Sequence, residues 1–307
     1  MTISYRRLVA ACQVPPGSRV RLRDFDPADT CVPEFGALGV GPLKLRAADV
    51  LEQNRAALAA AQELLWASDT RSVLAVFQAM DAAGKDGTIK HVMSGVNPQG
   101  CAVHGFRRPS EAELDHNFLW RYWDKVPQRG RIGIFNRSYY EEVLVVKVHP
   151  KILASQRLPP GRRGHAFWHA RYDDINRFER HLGRNGTVVL KFFLNISKAE
   201  QRRRLLARLD DRTKLWKFSA ADLAERAHWD EYLAAYQQML RATSTPWAPW
   251  WVIPADHKYV ARALVATILA GAIDALGLAY PAVTPAAARR LAAARRALSG
   301  GRRAAGR

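Results

Sequence analysis

A phosphate-binding loop is the clearest chemical pattern in the sequence. It occupies Ala79–Thr88, between an apolar run typical of a buried strand and the start of a helical pattern. Two glycines allow backbone N–H groups to approach an anion closely, the helix N-terminus adds partial positive charge, and Lys85 can reach phosphate oxygens. A plain strand-to-helix turn needs neither the lysine nor the second glycine. The expected phosphate contacts are Ala83, Gly84, Asp86, Gly87, Thr88 and Lys90.

This loop departs from the common Walker A pattern. Ala79 stands where the first glycine is usual, and Asp86 takes the place of the usual serine or threonine. Asp81 would repel a bound phosphate unless a cation or its water shell lay between them. The loop therefore predicts Mg²⁺ as a cofactor, with Asp81 as its ligand.

A second set of polar residues follows the apolar run Arg131–Phe135. Asn136 and Arg137 stand at the carboxyl end of this expected strand, where α/β sheets place their active sites. A Walker B strand normally ends in aspartate, so Asn136 could orient a metal-bound water without supplying charge. Arg137 could bridge phosphates, and the simpler alternative is a surface arginine after a strand.

The elements needed to position these residues are readable from hydrophobic periodicity. Four apolar runs typical of strands are separated by helical segments long enough for crossover connections, which predicts a parallel sheet in an α/β fold. The runs are Ser72–Phe77, Arg131–Phe135, Thr187–Leu194 and Trp250–Pro254. We divide the chain into an irregular arm (1–46), a core domain (47–280) and a basic Ala/Arg-rich tail (281–307) that composition predicts to be disordered or marginally helical.

A basic helical segment between the last two runs is interpreted as a lid, at about residues 198–225. Arg204 and Arg208 are four residues apart and hence on one helix face, with Lys214 and Lys217 beyond a break. Such a row can follow a phosphate chain, whereas charge runs without this context are usually solvated.

The overall charge of +19 points to a polyanionic partner: nucleic acid, acidic lipid or polyphosphate. The apolar runs are too short or interrupted for a membrane span, and no leader pattern follows Arg6 and Arg7, so we expect a cytoplasmic protein without membrane attachment. The three cysteines have neither a metal-type spacing nor a disulfide pattern.

In their order and spacing, these motifs make the chain resemble the polyphosphate kinase 2 family over roughly residues 15–275. The matching segments, beyond the loop and the second strand, include Asn97–Gly100, Phe118–Arg121, Lys191–Leu209, Trp216–Ser219 and Pro254–Lys258. The resemblance implies a three-layer P-loop fold of thymidylate-kinase type with a helical lid. It also implies transfer of the terminal phosphoryl group of polyphosphate to AMP or ADP, giving ADP or ATP, with Mg²⁺ and possible reversal.

The resemblance also assigns roles. Lys85 contacts the transferred phosphoryl group, Asp81 organises the metal and phosphates, and Arg137 holds the phosphate bridge. From its place on the basic lid face, we expect Arg208 to stabilise the spread negative charge together with Arg137. Further expected phosphate or nucleotide contacts are Asn136, Arg121, Arg204, Lys214 and Lys217, with Glu142 as a substitute metal ligand and a homo-oligomer as the implied assembly.

Two other interpretations remain open from the sequence. An ATP-dependent nucleoside monophosphate kinase would use the same fold, but the excess of lid and body cations favours a longer anionic donor. A non-enzymatic nucleic-acid-binding protein has independent support only from the basic tail, because no aromatic-and-basic stacking motif is present.

Overall fold

The fold is built on one sheet of parallel strands. The computed structural model describes residues 3–36, 38–217 and 219–300, and within them five strands pair in the order β2-β3-β1-β4-β5. The strands are β1 (Ser72–Ala79), β2 (Cys101–Gly105), β3 (Ile132–Asn136), β4 (Thr187–Asn195) and β5 (Trp250–Pro254). All four pairings are parallel, which confirms the predicted sheet. β1 is buried along its whole length, as a central strand covered on both faces must be.

Helices connect the strands and pack on the two faces of this sheet. In chain order they are α1 (Tyr5–Cys12), α2 (Val40–Ser68), α3 (Lys85–Val92), α4 (Glu111–Leu114), α5 (Trp120–Trp123), α6 (Val145–Val148), α7 (Pro150–Ser155), α8 (His165–Arg184), α9 (Lys198–Leu209), α10 (Ala220–Ala227), α11 (Trp229–Thr243), α12 (Lys258–Asp274) and α13 (Pro285–Gly300). Single 3₁₀ turns lie at Leu22–Asp24, Pro98–Gly100, Tyr139–Val143 and Leu215–Lys217.

The helices form two groups. The first contains α1, α2, α3 and α12, and the second contains α6, α8 and α11. Both α8 and α12 contact β4, whose side chains are buried almost throughout, so the two groups cover opposite faces of the sheet. This arrangement is the expected three-layer α/β fold. None of the helices that the described residues form is long and apolar enough to cross a lipid bilayer.

Two details differ from the sequence prediction. The arm is not irregular throughout, because α1 lies within it and α2 begins at Val40 rather than near residue 47. Strand β2 was not predicted, since three of its five residues are exposed, two are partly buried, and they form no apolar run of strand length. The tail contains the exposed helix α13, the helical form of the two that were expected, while residues 301–307 lie outside the described part.

A buried ion pair joins strand β4 to helix α8. Lys191 of β4 and Glu179 of α8 are fully buried, with 2.7 Å between Nζ and Oε2. Tyr139 and Tyr140 donate hydroxyl hydrogen bonds of 2.9 and 2.7 Å to the other oxygen of Glu179, and Lys191 also donates to the Thr243 carbonyl at 2.6 Å. Burial lowers the pKa of Lys191 to about 8 and raises the pKa of Glu179. The network fixes the turn that follows Arg137.

Replacing one member of this pair should destabilise the fold strongly. In Lys191→Met the Glu179 charge stays buried without its cation, which costs about 3–5 kcal/mol of unfolding free energy. The measurement is the urea midpoint at unchanged slope. Adding Glu179→Gln should restore part of the loss, because the uncompensated charge is then removed. Arg177→Met on the same helix is the control: its pair with Asp173 is exposed at 3.7 Å, and a comparable loss there would contradict the argument.

Candidate active site

The phosphate loop has the backbone geometry that its sequence predicts. Gly84 caps α3 in the left-handed conformation, with φ of 102°, and Ala82 before it also has a positive φ of 61°. These conformations turn the chain sharply from β1 into α3, so the helix N-terminus opens beside the carboxyl end of the central strand. Lys85 starts the helix and reaches back, with its Nζ donating 3.0 Å to the Ala79 carbonyl oxygen.

Lys85 is largely buried, with 9% of its surface exposed. Burial lowers its pKa to about 8, and the neighbouring Arg137 charge acts in the same direction, whereas Asp81, Glu141 and Asp86 oppose the shift. A phosphate placed on the loop would supply the negative charge that this partly desolvated ammonium lacks. The lysine is therefore suited to bind an anionic group.

Arg137 comes from the neighbouring strand and faces the loop. Pairing of Phe77 with Asn136 brings the ends of β1 and β3 side by side, and the Arg137 backbone has a left-handed φ of 63°. Its guanidinium contacts the Asp81 carboxylate at 2.9 Å and the Glu141 carboxylate at 3.0 Å. The charge of Glu141, followed by that of Asp81, raises the pKa of Arg137, so the arginine stays charged. Asp81 and Arg137 thus lie together, as expected.

A cleft of about 530 Å³ lies over these residues. Side chains of both charges line it, with five described cations and three described carboxylates. The cations are Lys85, Arg107, Arg137, Arg208 and Lys214, and the carboxylates are Asp81, Asp86 and Asp222; Gly84, Gly87 and Asn136 also line it. The cationic excess at the loop, β3 and the lid suits a ligand with several phosphates.

The lid contributes Arg208 to the cleft. Arg208 lies in the last turn of α9, and its Nη1 contacts Oδ2 of Asp222 on α10 at 3.3 Å. Burial and the charge of Asp81 raise the pKa of Asp222. The lid therefore places a paired arginine, rather than an isolated one, opposite the phosphate loop.

Arg204, the other arginine of the predicted row, has a different position. It is 8% exposed and lies beneath the loop, not in the cleft. Its guanidinium donates to the carbonyls of Ala83 at 2.7 Å and Ala255 at 2.5 Å, with longer bonds to Ala82 and Asp256 and an ion pair with Glu200. These bonds use the donors that a phosphate would need. The expected phosphate contact is replaced by a role in shaping the loop.

A second link joins the lid to the loop. Gln201 of α9 donates 3.0 Å from Nε2 to the Asp81 carbonyl, and its Oε1 accepts 2.8 Å from Arg226 of α10. Gln201 is 3% exposed, so its side chain lies inside the protein. The backbone of the metal-binding candidate is thereby connected to both lid helices.

Glu142 and Arg121 lie outside the cleft. The Glu142 carboxylate contacts Arg171 at 2.5 Å and accepts 2.7 Å from Gln156, so the cation it neutralises is an arginine and not a metal held with Asp81. Arg121 pairs with Glu113 at 3.2 Å. Both line a separate cavity of about 450 Å³, and the structure does not bring them to the phosphate loop.

Of the other residues expected to contact phosphate, some are buried within the loop and others lie on the surface. Ala83 and Thr88 are buried in the loop and first helical turn, where Thr88 N–H bonds the Gly84 carbonyl at 2.9 Å. Lys90 is exposed on α3 and does not line the cleft. The side chain of Lys217 lies outside the described part of the structure.

The oxygen donors of the cleft fit Mg²⁺. Asp81, Asp86 and Asp222 are hard carboxylate ligands, and Mg²⁺ typically uses one or two carboxylates together with substrate phosphates. Among the described residues no three His, Cys, Asp or Glu side chains are close enough to form a complete metal cage. The donor set therefore suits an ion shared with a phosphate ligand, with Asp81 and its neighbours holding it.

Comparison with known proteins agrees with this geometry. The family model described as "Polyphosphate kinase 2 (PPK2)" matches residues 44–278. The chain belongs to the polyphosphate kinase 2 family. A polyphosphate kinase 2 crystal structure from Arthrobacter aurescens superposes with a TM-score of 0.83 at 39% identity, covering 95% of this chain and 99% of that one.

Two curated relatives support the same family. An "ADP-polyphosphate phosphotransferase" of Rhodopseudomonas palustris is 56% identical over 73% of this chain and 78% of its own length. An "AMP/ADP-polyphosphate phosphotransferase" of Meiothermus ruber is 46% identical over 88% of this chain and 94% of its own.

Three residues that line the cleft were not identified from the sequence. Phe106 and Arg107 follow the unpredicted strand β2, whose Gly105 is in register with Asn136. Asp222 lies in the predicted lid but was not singled out, because one carboxylate among many charges carries no distinguishing pattern. Recognition of β2 would have placed Arg107 at the carboxyl edge of the sheet.

Proposed function

We propose that this protein transfers the terminal phosphoryl group of inorganic polyphosphate to AMP or ADP, forming ADP or ATP. The observation that carries the proposal is the grouping of Lys85, Arg137 and Arg208 around one cleft at the carboxyl ends of β1 and β3. Both curated relatives named above carry polyphosphate phosphotransferase names, and they differ in whether AMP is included.

The reaction needs positioning and charge neutralisation rather than a covalent intermediate. An ionised oxygen of the nucleotide's terminal phosphate attacks the last phosphorus of the polyphosphate chain. The bridging P–O bond breaks, and the shortened chain departs with the negative charge on its new terminal oxygen. The acceptor oxygen is already ionised, so no general base is required. Lys85 and the loop N–H groups bind the transferred group, while Arg137 and Arg208 oppose the charge that spreads over it.

Bound Mg²⁺ would neutralise phosphate charge and help to align the phosphates. Asp81 is the residue that we assign to it, with Asp86 and Asp222 close by in the same cleft. Arg137 contacts the Asp81 carboxylate at 2.9 Å and so fixes its orientation.

The identity of the phosphoryl donor distinguishes this proposal from an ATP-dependent nucleoside monophosphate kinase. Purified protein is given AMP or ADP with either ATP or polyphosphate, and the new nucleotide is quantified with Mg²⁺ present or chelated. We expect transfer from polyphosphate and loss of transfer on chelation. Phosphorylation of AMP from ATP alone would instead identify an ordinary nucleoside monophosphate kinase. Separate reactions that contain only AMP or only ADP show which acceptor is used.

Asp81→Asn should weaken turnover and the Mg²⁺ response together, because it removes the carboxylate charge assigned to the ion. We expect the Mg²⁺ concentration for half-maximal rate to rise by roughly tenfold or more. Asp49→Asn is the control, since that carboxylate is exposed on α2, does not line the cleft and should leave the Mg²⁺ response unchanged. An Asp81→Asn enzyme with the wild-type Mg²⁺ response would remove the assignment.

Three expectations stay predictions: the cytoplasmic location, a homo-oligomeric assembly and the absence of specific nucleic-acid binding. Salt-sensitive RNA binding without nucleotide turnover would favour the nucleic-acid alternative over the proposal.

A further inference from the structure

The C-terminal helix α13 is set apart from the rest of the molecule. Every described side chain between Pro285 and Ser299 is exposed except that of Ala287, which is half-buried. The helix contains four arginines, and residues 275–307 contain no aspartate or glutamate. An isolated helix of this length is marginal in water, and an exposed, uniformly cationic helix gains little from its own side chains. Packing in the core therefore does not account for this helix.

The arginines surround α13 on all sides except one narrow stripe. Helical geometry places Arg289 and Arg296, seven residues apart, on one face. Arg290 and Arg295 flank that face on its two sides. The opposite face is a narrow apolar stripe with spacings of four, three and four residues, formed by Ala287, Leu291, Ala294 and Leu298. The cationic surface thus covers more than half of the helix circumference.

We infer that the cationic face of α13 binds the distal part of the polyphosphate chain whose end occupies the active-site cleft. The inference rests on the proposed function, which supplies a flexible polyanion as substrate. Charge complementarity is the supporting observation: four arginines on one exposed helix, with no acidic residue in the segment, face a ligand that carries charge along its whole length.

The geometry makes the effect depend on chain length. Helix α12 begins beside the phosphate loop, where the Asp256 carbonyl meets Arg204, and its 17 residues carry the chain roughly 25 Å away. Residues 275–284 then join it to α13, and ten extended residues span at most about 33–36 Å. A short phosphate oligomer lies within the cleft, whereas a long chain extends out of it and can contact α13 as well. The second contact would raise affinity through effective concentration rather than through chemistry.

Other occupants fit less well. A second copy of α13 packed along the apolar stripe would bring Arg290 and Arg295 of both helices together, and like charges beside such a seam repel. The stripe has two leucines and no aromatic side chain, which is a small apolar face for a membrane surface. Single-stranded nucleic acid usually requires aromatic side chains for base stacking, and α13 has none.

The test compares long-chain polyphosphate with tripolyphosphate as donors to ADP. The variant carries R289Q, R290Q, R295Q and R296Q in the full chain, and the matched control carries L291A and L298A. We expect the arginine variant to raise the apparent KM for long-chain polyphosphate by roughly tenfold at low salt. Its kcat and its KM for tripolyphosphate should be those of the wild type. The leucine control should match the wild type with both donors.

Salt gives a second readout. Each lost phosphate contact should remove about 0.7 from the slope of log apparent affinity against log salt, by analogy with single-stranded nucleic acids. An equal change for both donors, no change for either, or lower turnover at saturating donor would overturn the inference. So would loss of binding to phosphatidylserine vesicles with unchanged polyphosphate KM, which would assign α13 to a membrane. If wild-type protein transfers nothing from any polyphosphate, the proposed function fails first, and that result is distinct.

Discussion

Lys85→Met is expected to abolish phosphoryl transfer while leaving the protein folded. The ammonium is the group in the phosphate loop that can follow the transferred phosphoryl group, and methionine keeps a similar chain length in its largely buried position. Loss of both turnover and thermal stability would contradict this expectation. Lys44→Met, an exposed lysine of α2 outside the cleft, serves as the control and should keep wild-type rates.

The sign of the stability change is also fixed. Because the pKa of Lys85 is lowered to about 8 in the folded protein, the unfolded chain binds more protons between about pH 8 and its ordinary pKa near 10.4. The wild type therefore carries a protonation penalty below pH 8 that fades as pH rises through this window. Lys85→Met removes that penalty, so its melting temperature at neutral pH should equal or exceed that of the wild type.

The same pKa predicts a pH profile. The ratio kcat/KM reports ionisations of the free enzyme, and the Lys85 charge is lost as pH rises above about 8. We expect kcat/KM for polyphosphate to fall there. Lys85→Arg separates this group from Lys191, whose pKa is also about 8: the fall should disappear if Lys85 causes it and persist if Lys191 does.

Arg208→Ala should lower turnover by roughly 10³-fold or more, with a smaller change in nucleotide KM, because an arginine that completes a phosphoryl-transfer site acts mainly on the transition state. Arg208→Lys preserves the charge but loses the planar fork, so it should recover little of the rate. Full recovery by lysine, or a pure affinity effect in the alanine variant, would mean that Arg208 only attracts polyphosphate from a distance.

Arg203 provides a matched control on the same helix. It is exposed, pairs with Glu200 at 2.6 Å and does not line the cleft. Arg203→Ala removes the same net charge from α9 and should change kcat little. Equal effects of the two alanine variants would attribute both to the general positive field.

The sequence was sufficient for the sheet and the phosphate loop because both depend on local patterns. Buried strands such as Ser72–Ala79 read as apolar runs, and a glycine-lysine turn after one of them has few other uses. Strand β2 was missed for the opposite reason: its residues are exposed or only partly buried and form no long apolar run, and only pairing with β3 makes it a strand.

Side-chain partners were not predictable in the same way. Helical spacing placed Arg204 and Arg208 on one face of α9. It did not show that Arg204 would bind the loop from below and that Arg208 would face the cleft. Glu142 was considered as a metal ligand because it follows Arg137, yet Arg171, 29 residues further on, takes its carboxylate. Such pairings depend on tertiary contacts between distant segments.

The hydrogen bonds of the Arg204 guanidinium lower the entropic cost of substrate binding. With the Ala82 and Ala83 carbonyls already bound from below, the loop has its shape before any phosphate arrives. Binding then orders little backbone there, and the conformational cost falls mainly on the lid. Backbone amide order parameters should show this division: high values at residues 82–88 in the ligand-free protein, changing little with polyphosphate, and an increase confined to the lid helices.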